Sequence, residues 1–348
     1  MFSCRKDQPS DPLADIPYSP THVTLQGPEG FPKMDIPGDN PTTIQGIELG
    51  KRLFFDSILS ADFTMSCATC HLPEGNFTDN FATSKGIDGI PGRRSSMSLL
   101  NIGFADQGLF WDGRSPTLET QALLPVEDSI ELHNTWMEVV DRLQDHDLYP
   151  ELFRKAFGIE KKEDITKELA AKAMAQFERS LISSGDSKYD RFARGEIELS
   201  DEEFLGYVLF FDLDPDIPDA ECGHCHNAPL FTTNQYFNNG IEPVSDLLSF
   251  PDMGRGLVTG DEFDNGRFRV PTLRNIEFSA PYMHDGRFET LEEVVDHYNS
   301  GGHFQLNKDP LIRPLGLLDY EKEALIAFIK TLSDSTFIED PRHQNPFK

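Results

Sequence analysis

Two short stretches hold the residues best able to do chemistry, Cys67-Ala68-Thr69-Cys70-His71 and Cys222-Gly223-His224-Cys225-His226. Two thiols separated by two residues on one turn can both reach the vinyl groups of a single porphyrin. The histidine that follows then lies beneath the iron as its proximal ligand. The competing use of a Cys-x-x-Cys pair is a zinc site or a redox dithiol. A zinc site built from both pairs would not need a histidine directly after each second cysteine, and these motifs use four of the chain's five cysteines. The pattern predicts two covalently bound c-type haems. Cys67, Cys70, Cys222 and Cys225 would be the attachment points, and His71 and His226 the iron ligands.

What fills the sixth position of each iron decides between electron transfer and chemistry. After His71 the next histidine is His133, and the loop Leu72–Arg94 contains none. The first iron is therefore expected to be open to a small oxidant such as hydrogen peroxide. Met97 is the nearby alternative ligand, although a methionine in this setting is more often core filler.

The elements that must position these groups follow from composition and pattern. A chain of 348 residues, 38% of them hydrophobic, favours two domains. No run approaches the ~18 apolar residues that cross a bilayer, so the chain reads as soluble. Thirty-one basic and 59 acidic residues leave a net charge of −28, which repels nucleic acid and suits a basic partner, or simply keeps the protein in solution. Covalent c-type haem is attached outside the cytoplasm, which implies a periplasmic or cell-envelope location although no signal peptide is visible. Cys4, the leftover cysteine, precedes a polar, proline-bearing stretch from Arg5 to Pro20. It reads either as the lipid-anchored first residue of a bacterial lipoprotein or as a free thiol in a tail.

Residues 1–40 are rich in Pro, Gly and Asp and read as a tether or irregular arm. Helical spacing begins at Thr43 with Ile44, Ile47, Leu49, Leu53 and Phe54. Residues 72–118 read as long loops around a haem. Helical patterns return at Asn134–Leu143, Thr166–Ile182 and Ser200–Phe211, with Thr166 as an N-cap. Gly185 and Asp186 mark a domain junction, after which the plan repeats in motif and order, closing with helices at Leu291–Tyr298 and Tyr320–Leu332. Few alternating strand patterns occur. The expected fold is mainly α, two cytochrome c-like domains over residues 41–185 and 186–335, each carrying one covalent haem, with long loops and a C-terminal tail over 336–348.

From about Gly46 to Leu332 the chain resembles the bacterial dihaem cytochrome c peroxidase and MauG superfamily. The resemblance rests on Gly50-Lys51-Arg52-Leu53-Phe54-Phe55-Asp56, Phe110-Trp111-Asp112-Gly113-Arg114, Phe177-Glu178-Arg179-Ser180-Leu181-Ile182, Pro271-Thr272-Leu273-Arg274-Asn275 and Ala280-Pro281-Tyr282-Met283-His284-Asp285-Gly286. It implies that the N-terminal haem is peroxidatic and that the C-terminal haem supplies electrons. The family's distal acid–base pair falls on Gln121 and Glu131, ten and twenty residues after Trp111. Heterolysis of peroxide needs a base that takes a proton from one oxygen and returns it to the other. Without the family, Glu131 would read as a solvated helix-end charge and Gln121 as a surface polar residue. Trp111 matches the family tryptophan between the haems, which suits an electron relay, and Pro125 matches a distal-pocket proline. A small cytochrome c or cupredoxin as electron donor, or a protein substrate, is the implied partner, and family members are often homodimers.

Three departures from the peroxidase pattern stand out. Many of these enzymes block the peroxidatic iron with a histidine in the first loop; the matching region near Ile87 has none, which implies an enzyme ready in its oxidised state. The methionine ligand of the electron-transfer haem, fourteen residues after the motif histidine His284, is replaced by Tyr298. A phenolate there would lower the potential; Met283, Met253 and His297 are the rival ligands. The tryptophan that precedes the second motif in MauG is Ala220 here, and the only other tryptophan, Trp136, is in the first half. The family's interhaem calcium would draw on the carbonyls of Ser279 and Pro281, with Ser95 at the asparagine position. Backbone oxygens suit Ca2+ whatever the residue.

Overall fold

The computed structural model describes residues 12–347, so Cys4 and the start of the expected tether lie outside the described residues. The first half contains α1 (Ile44–Phe55), α2 (Cys67–Cys70), α3 (Leu118–Glu127), α4 (Trp136–Asp145), α5 (Tyr149–Phe157) and α6 (Lys167–Arg179). The second contains α7 (Lys188–Ala193), α8 (Asp201–Phe211), α9 (Cys222–Cys225), α10 (Gly256–Thr259), α11 (Leu291–Ser300) and α12 (Asp319–Lys330), and α13 (Ser335–Glu339) follows. Strands β1 (Tyr236–Phe237) and β2 (Phe268–Arg269) pair antiparallel with Tyr236 opposite Arg269. Helix starts follow side-chain chemistry: the hydroxyls of Thr43, Thr166, Ser200 and Thr290 accept the exposed backbone N–H groups of α1, α6, α8 and α11.

Each half is organised by one tight helix crossing. α1 packs on α6 and α8 on α12 through Gly50 and Gly206; a Cβ on either glycine would lie 1.9 Å from the carbonyl oxygen of Ala173 or Ala324. Backbone cannot yield to such a contact, so only glycine permits these crossings. Gly50→Ala is expected to destabilise the protein by about 1–3 kcal/mol through overpacking, seen as a lowered melting temperature.

The two halves share residues as well as order. Gly50, Leu53, Phe54, Phe55 and Asp56 recur as Gly206, Leu209, Phe210, Phe211 and Asp212. Asn101 and Asn275 both adopt left-handed backbone, φ 62° and 58°. Each donates its backbone N–H to the end of its half's long helix, at Leu181 or Leu332, and bonds Ser183 or Asp334 with its side chain. The expectation of a repeat in motif and order alone is therefore corrected: residue identity is present, but spread over segments whose spacing differs between the halves.

Two main apolar cores result. One gathers Leu49, Leu53, Val139, Phe153 and Met174, and the other Leu209, Phe210, Val295, Leu325 and Phe328. The arm is anchored at a few points, with Leu13 in the first core and Met34 buried against Phe104 and Leu230 of the two halves. The chain end returns to the first half, where Phe337 and His343 pack on Phe77.

Candidate functional site

Both Cys-x-x-Cys-His motifs form a single helical turn that ends at the histidine, whose N–H returns to the first cysteine's carbonyl. His71 Nδ1 meets the Phe77 carbonyl at 2.9 Å, and His226 Nδ1 meets the Phe231 carbonyl at 3.1 Å. Both phenylalanines adopt left-handed backbone, φ 60° and 54°. With Nδ1 donating to a carbonyl, the ring is oriented and its Nε2 is free to ligate a metal. Burial keeps both imidazoles neutral, lowering the pKa of His71 and bringing that of His226 to about 4.

Burial pushes the Cys70 and Cys225 thiols up to about 11 and Cys222 to about 12, and raises Cys67 further. A redox dithiol needs the opposite shift. The pairs also pack on different cores, which rules out one zinc shared between them. The donor set fits haem in each half: two thiols on one turn, then an imidazole held by its outer nitrogen.

Around the first pair, Gln121 and Pro125 stand one helical turn apart on α3, and the Pro125 carbonyl accepts the N–H of Leu132 beside Glu131. The field of Glu131 reaches both Cys67 and Cys70. Burial, then Asp128, raises the Glu131 pKa, and Arg114 opposes the shift. The loop near Ile87 lies against this segment, Ile87 N–H donating to the Glu131 carbonyl at 3.0 Å. Met97 turns its sulfur toward Arg269 Nη2 at 3.5 Å, while its carbonyl faces His71 on the proximal side.

The second motif opens on a cavity lined by Cys222, Cys225, His226, Tyr298 and Met283, which also reaches Trp111. Asn239 Nδ2 donates to Tyr298 Oη at 3.3 Å and to Met283 Sδ at 3.6 Å, so both rival ligands face one point. Burial pushes the Tyr298 phenol up to about 12. His297 and Met253 do not line this cavity, and His297 Nε2 is bonded to the Asn239 carbonyl. Trp111 donates its indole N–H to the Ser95 carbonyl at 2.9 Å and takes the Arg269 N–H on its own carbonyl. Ser95, Ser279 and Pro281 line the same cavity. Ser95 Oγ donates to the Met283 carbonyl.

Several positioning residues were not singled out from sequence. Buried Arg269 holds Phe110 and Asn234, Arg94 bridges Asp112 and Asp252, and His284 stacks on Phe268 at 3.7 Å in the cavity wall. His284 belongs to the Ala280–Gly286 stretch that carries the resemblance. The arginines carry no sequence signal, because their partners are distant in the chain.

Paired Cys-x-x-Cys-His motifs on duplicated helix crossings define a dihaem cytochrome. Residues 44–198 match the model of the di-haem cytochrome c peroxidase family. The chain is 33% identical to cytochrome-c peroxidase IdrP1 of Pseudomonas sp. (strain SCT), covering 91% of this chain and 87% of that protein. It is 34% identical to the methylamine utilization protein MauG of Methylorubrum extorquens, covering 88% and 82%. A solved MauG-like protein associated with microbial copper homeostasis superposes with a TM-score of 0.85 at 34% identity, covering 92% of this chain and 98% of that one. The chain belongs to the di-haem cytochrome c peroxidase family and is an oxidoreductase of the peroxidase type, with two haems as its cofactors. Among the described residues no helix is long and apolar enough to cross a membrane.

Proposed function

We propose that this protein reduces hydrogen peroxide at the haem of the first half with electrons that enter through the haem of the second. The observation that carries the reading is the contrast between the sites. The second encloses two side chains able to complete an iron, Tyr298 and Met283. The first has a carboxyl of raised pKa, Glu131, close to its cysteine pair, and no histidine in its adjoining loop.

When bound, the first haem supplies the iron centre at which the O–O bond breaks. Glu131, deprotonated, takes the proton from the peroxide oxygen that approaches the iron and returns it to the departing oxygen. The Gln121 amide orients the peroxide by hydrogen bonding. One peroxide, two electrons and two protons give two waters. Trp111 carries electrons between the sites, its ring held by the Ser95 carbonyl and its backbone carbonyl by the Arg269 N–H. Tyr298 would hold the second haem's iron through its phenol oxygen, whose proton burial retains until a positive iron favours the phenolate.

Ile87 near the blocking-ligand position supports a site already open when oxidised. Ala220, 3% exposed, provides no aromatic relay to a protein substrate. That favours a small basic cytochrome c or cupredoxin as donor over oxidation of a protein partner, and the charge of −28 suits such a donor. A periplasmic or cell-envelope location follows from the haem chemistry, and within it Cys4 is either a lipid anchor or a free thiol. The Ser279 and Pro281 carbonyls suit Ca2+ whose shell, in place of the family asparagine, is completed by water.

The test is stopped-flow absorption of the fully oxidised protein with stoichiometric peroxide and no reductant. A rapid change in the Soret and near-infrared bands is expected. No reaction until one haem is reduced would overturn the open-site reading.

A further inference from the structure

Glu178 is 5% exposed, and its Oε2 has no hydrogen-bond partner. Burying an unpaired carboxyl is costly, so its place in the fold matters. The duplication supplies that place. An offset of 151 residues relates Ala173 to Ala324 at the glycine crossings and Leu181 to Leu332 at the asparagine contacts. The same offset sets Glu178 against Ile329, and Ile329 lines the second haem cavity. At the position where the second half has an aliphatic side chain in its haem cavity, the first half has a buried carboxyl. Its charge acts on Cys67, the first attachment thiol.

We infer that Glu178 is a redox-linked proton site of the first haem, taking one proton from solvent when that haem gains one electron and releasing it when the electron leaves. This rests on the haem reading proposed above. Buried charges interact strongly, so a more positive iron favours the carboxylate and a reduced iron the carboxyl. Burial raises the Glu178 pKa to about 8; Arg179 on the same helix opposes the shift, and Glu119 on α3 adds to it. Arg179 is itself paired with Glu119 at 2.6 Å. From α1 the helix meets apolar Leu49 and Leu53, and Glu131 is the other carboxyl whose field reaches Cys67.

The experiment is spectroelectrochemistry of the first haem from pH 6 to 10 in holoprotein whose haem content has first been measured. In the wild type the redox equilibrium constant should shift with pH by up to tenfold per unit near pH 8, about 59 mV for one electron. Glu178→Gln should abolish that dependence, whereas Glu131→Gln should leave it in place. Glu178→Ile copies the residue of the second half, so it should fold and also lie flat. A pH-independent wild type, or a slope that persists in both Glu178 variants, overturns the inference and marks Glu178 as a structural neighbour of Arg179. One haem per chain would instead defeat the dihaem reading on which the inference stands.

Discussion

Glu131→Gln is expected to slow the reaction of the oxidised protein with hydrogen peroxide by about 10²–10⁴-fold, the usual contribution of a positioned general base. The amide keeps the shape and hydrogen-bonding reach of the side chain but cannot hold the travelling proton. Haem content and the resting spectrum should therefore survive while the rapid spectral change is lost. The pH profile carries the sign. Burial and Asp128 raise the Glu131 pKa, and only the deprotonated form is a base. The wild-type rate should thus fall on acidification through a pKa above the ordinary carboxylate value, and the variant should show no such limb. An unaltered rate in the variant would mean that Glu131 is not the base of this reaction.

Asp190→Asn is expected to destabilise the fold by about 3–5 kcal/mol, because it strands a buried guanidinium. Arg274 is 2% exposed. Its Nη1 and Nη2 donate to the two Asp190 oxygens at 2.9 and 2.7 Å, and its Nε donates to the Pro229 carbonyl at 2.7 Å. The pair locks α7 to the segment that leads into Asn275, and so to both chain halves, since Asn275 Nδ2 also approaches Asn76 beside Phe77. Denaturant unfolding of the holoprotein would measure the loss. Replacing both partners by aliphatic residues should recover much of it, since no charge is then left buried. Burial alone would raise the Asp190 pKa, yet the Arg274 hydrogen bonds hold it below the usual carboxylate range. A depressed carboxylate stabilises above its unfolded pKa of about 3.9 and ceases to do so as pH falls through the lower folded value. The wild type should therefore lose this contribution only in strong acid.

The chemistry of the chain was legible locally. A Cys-x-x-Cys-His turn brings two thiols and an imidazole together within five residues, so both haem motifs, and the helices that precede and close each half, could be read from spacing and capping residues alone. Thr166 is the N-cap of α6 as expected, and the apolar rhythm after Thr43 is α1. The long loops were legible only as loops. Their contents are ordered by contacts between residues far apart in the chain, such as Arg94 with Asp252 and Arg269 with Phe110, and periodicity does not report such contacts. The duplication was hidden for a related reason, because loops of unequal length shift the matching residues out of register.

Residue type and short spacing, then, determined by themselves that this chain carries two c-type haem motifs on a mainly helical frame. Tertiary structure alone decided which side chains share a pocket. It set Tyr298 and Met283 at one amide and put Glu131 within reach of Cys67. It also left Glu178 buried with an unpaired oxygen. Burial and charge, which set the pKa of Tyr298, Glu131 and Glu178, arise only when distant segments close around them.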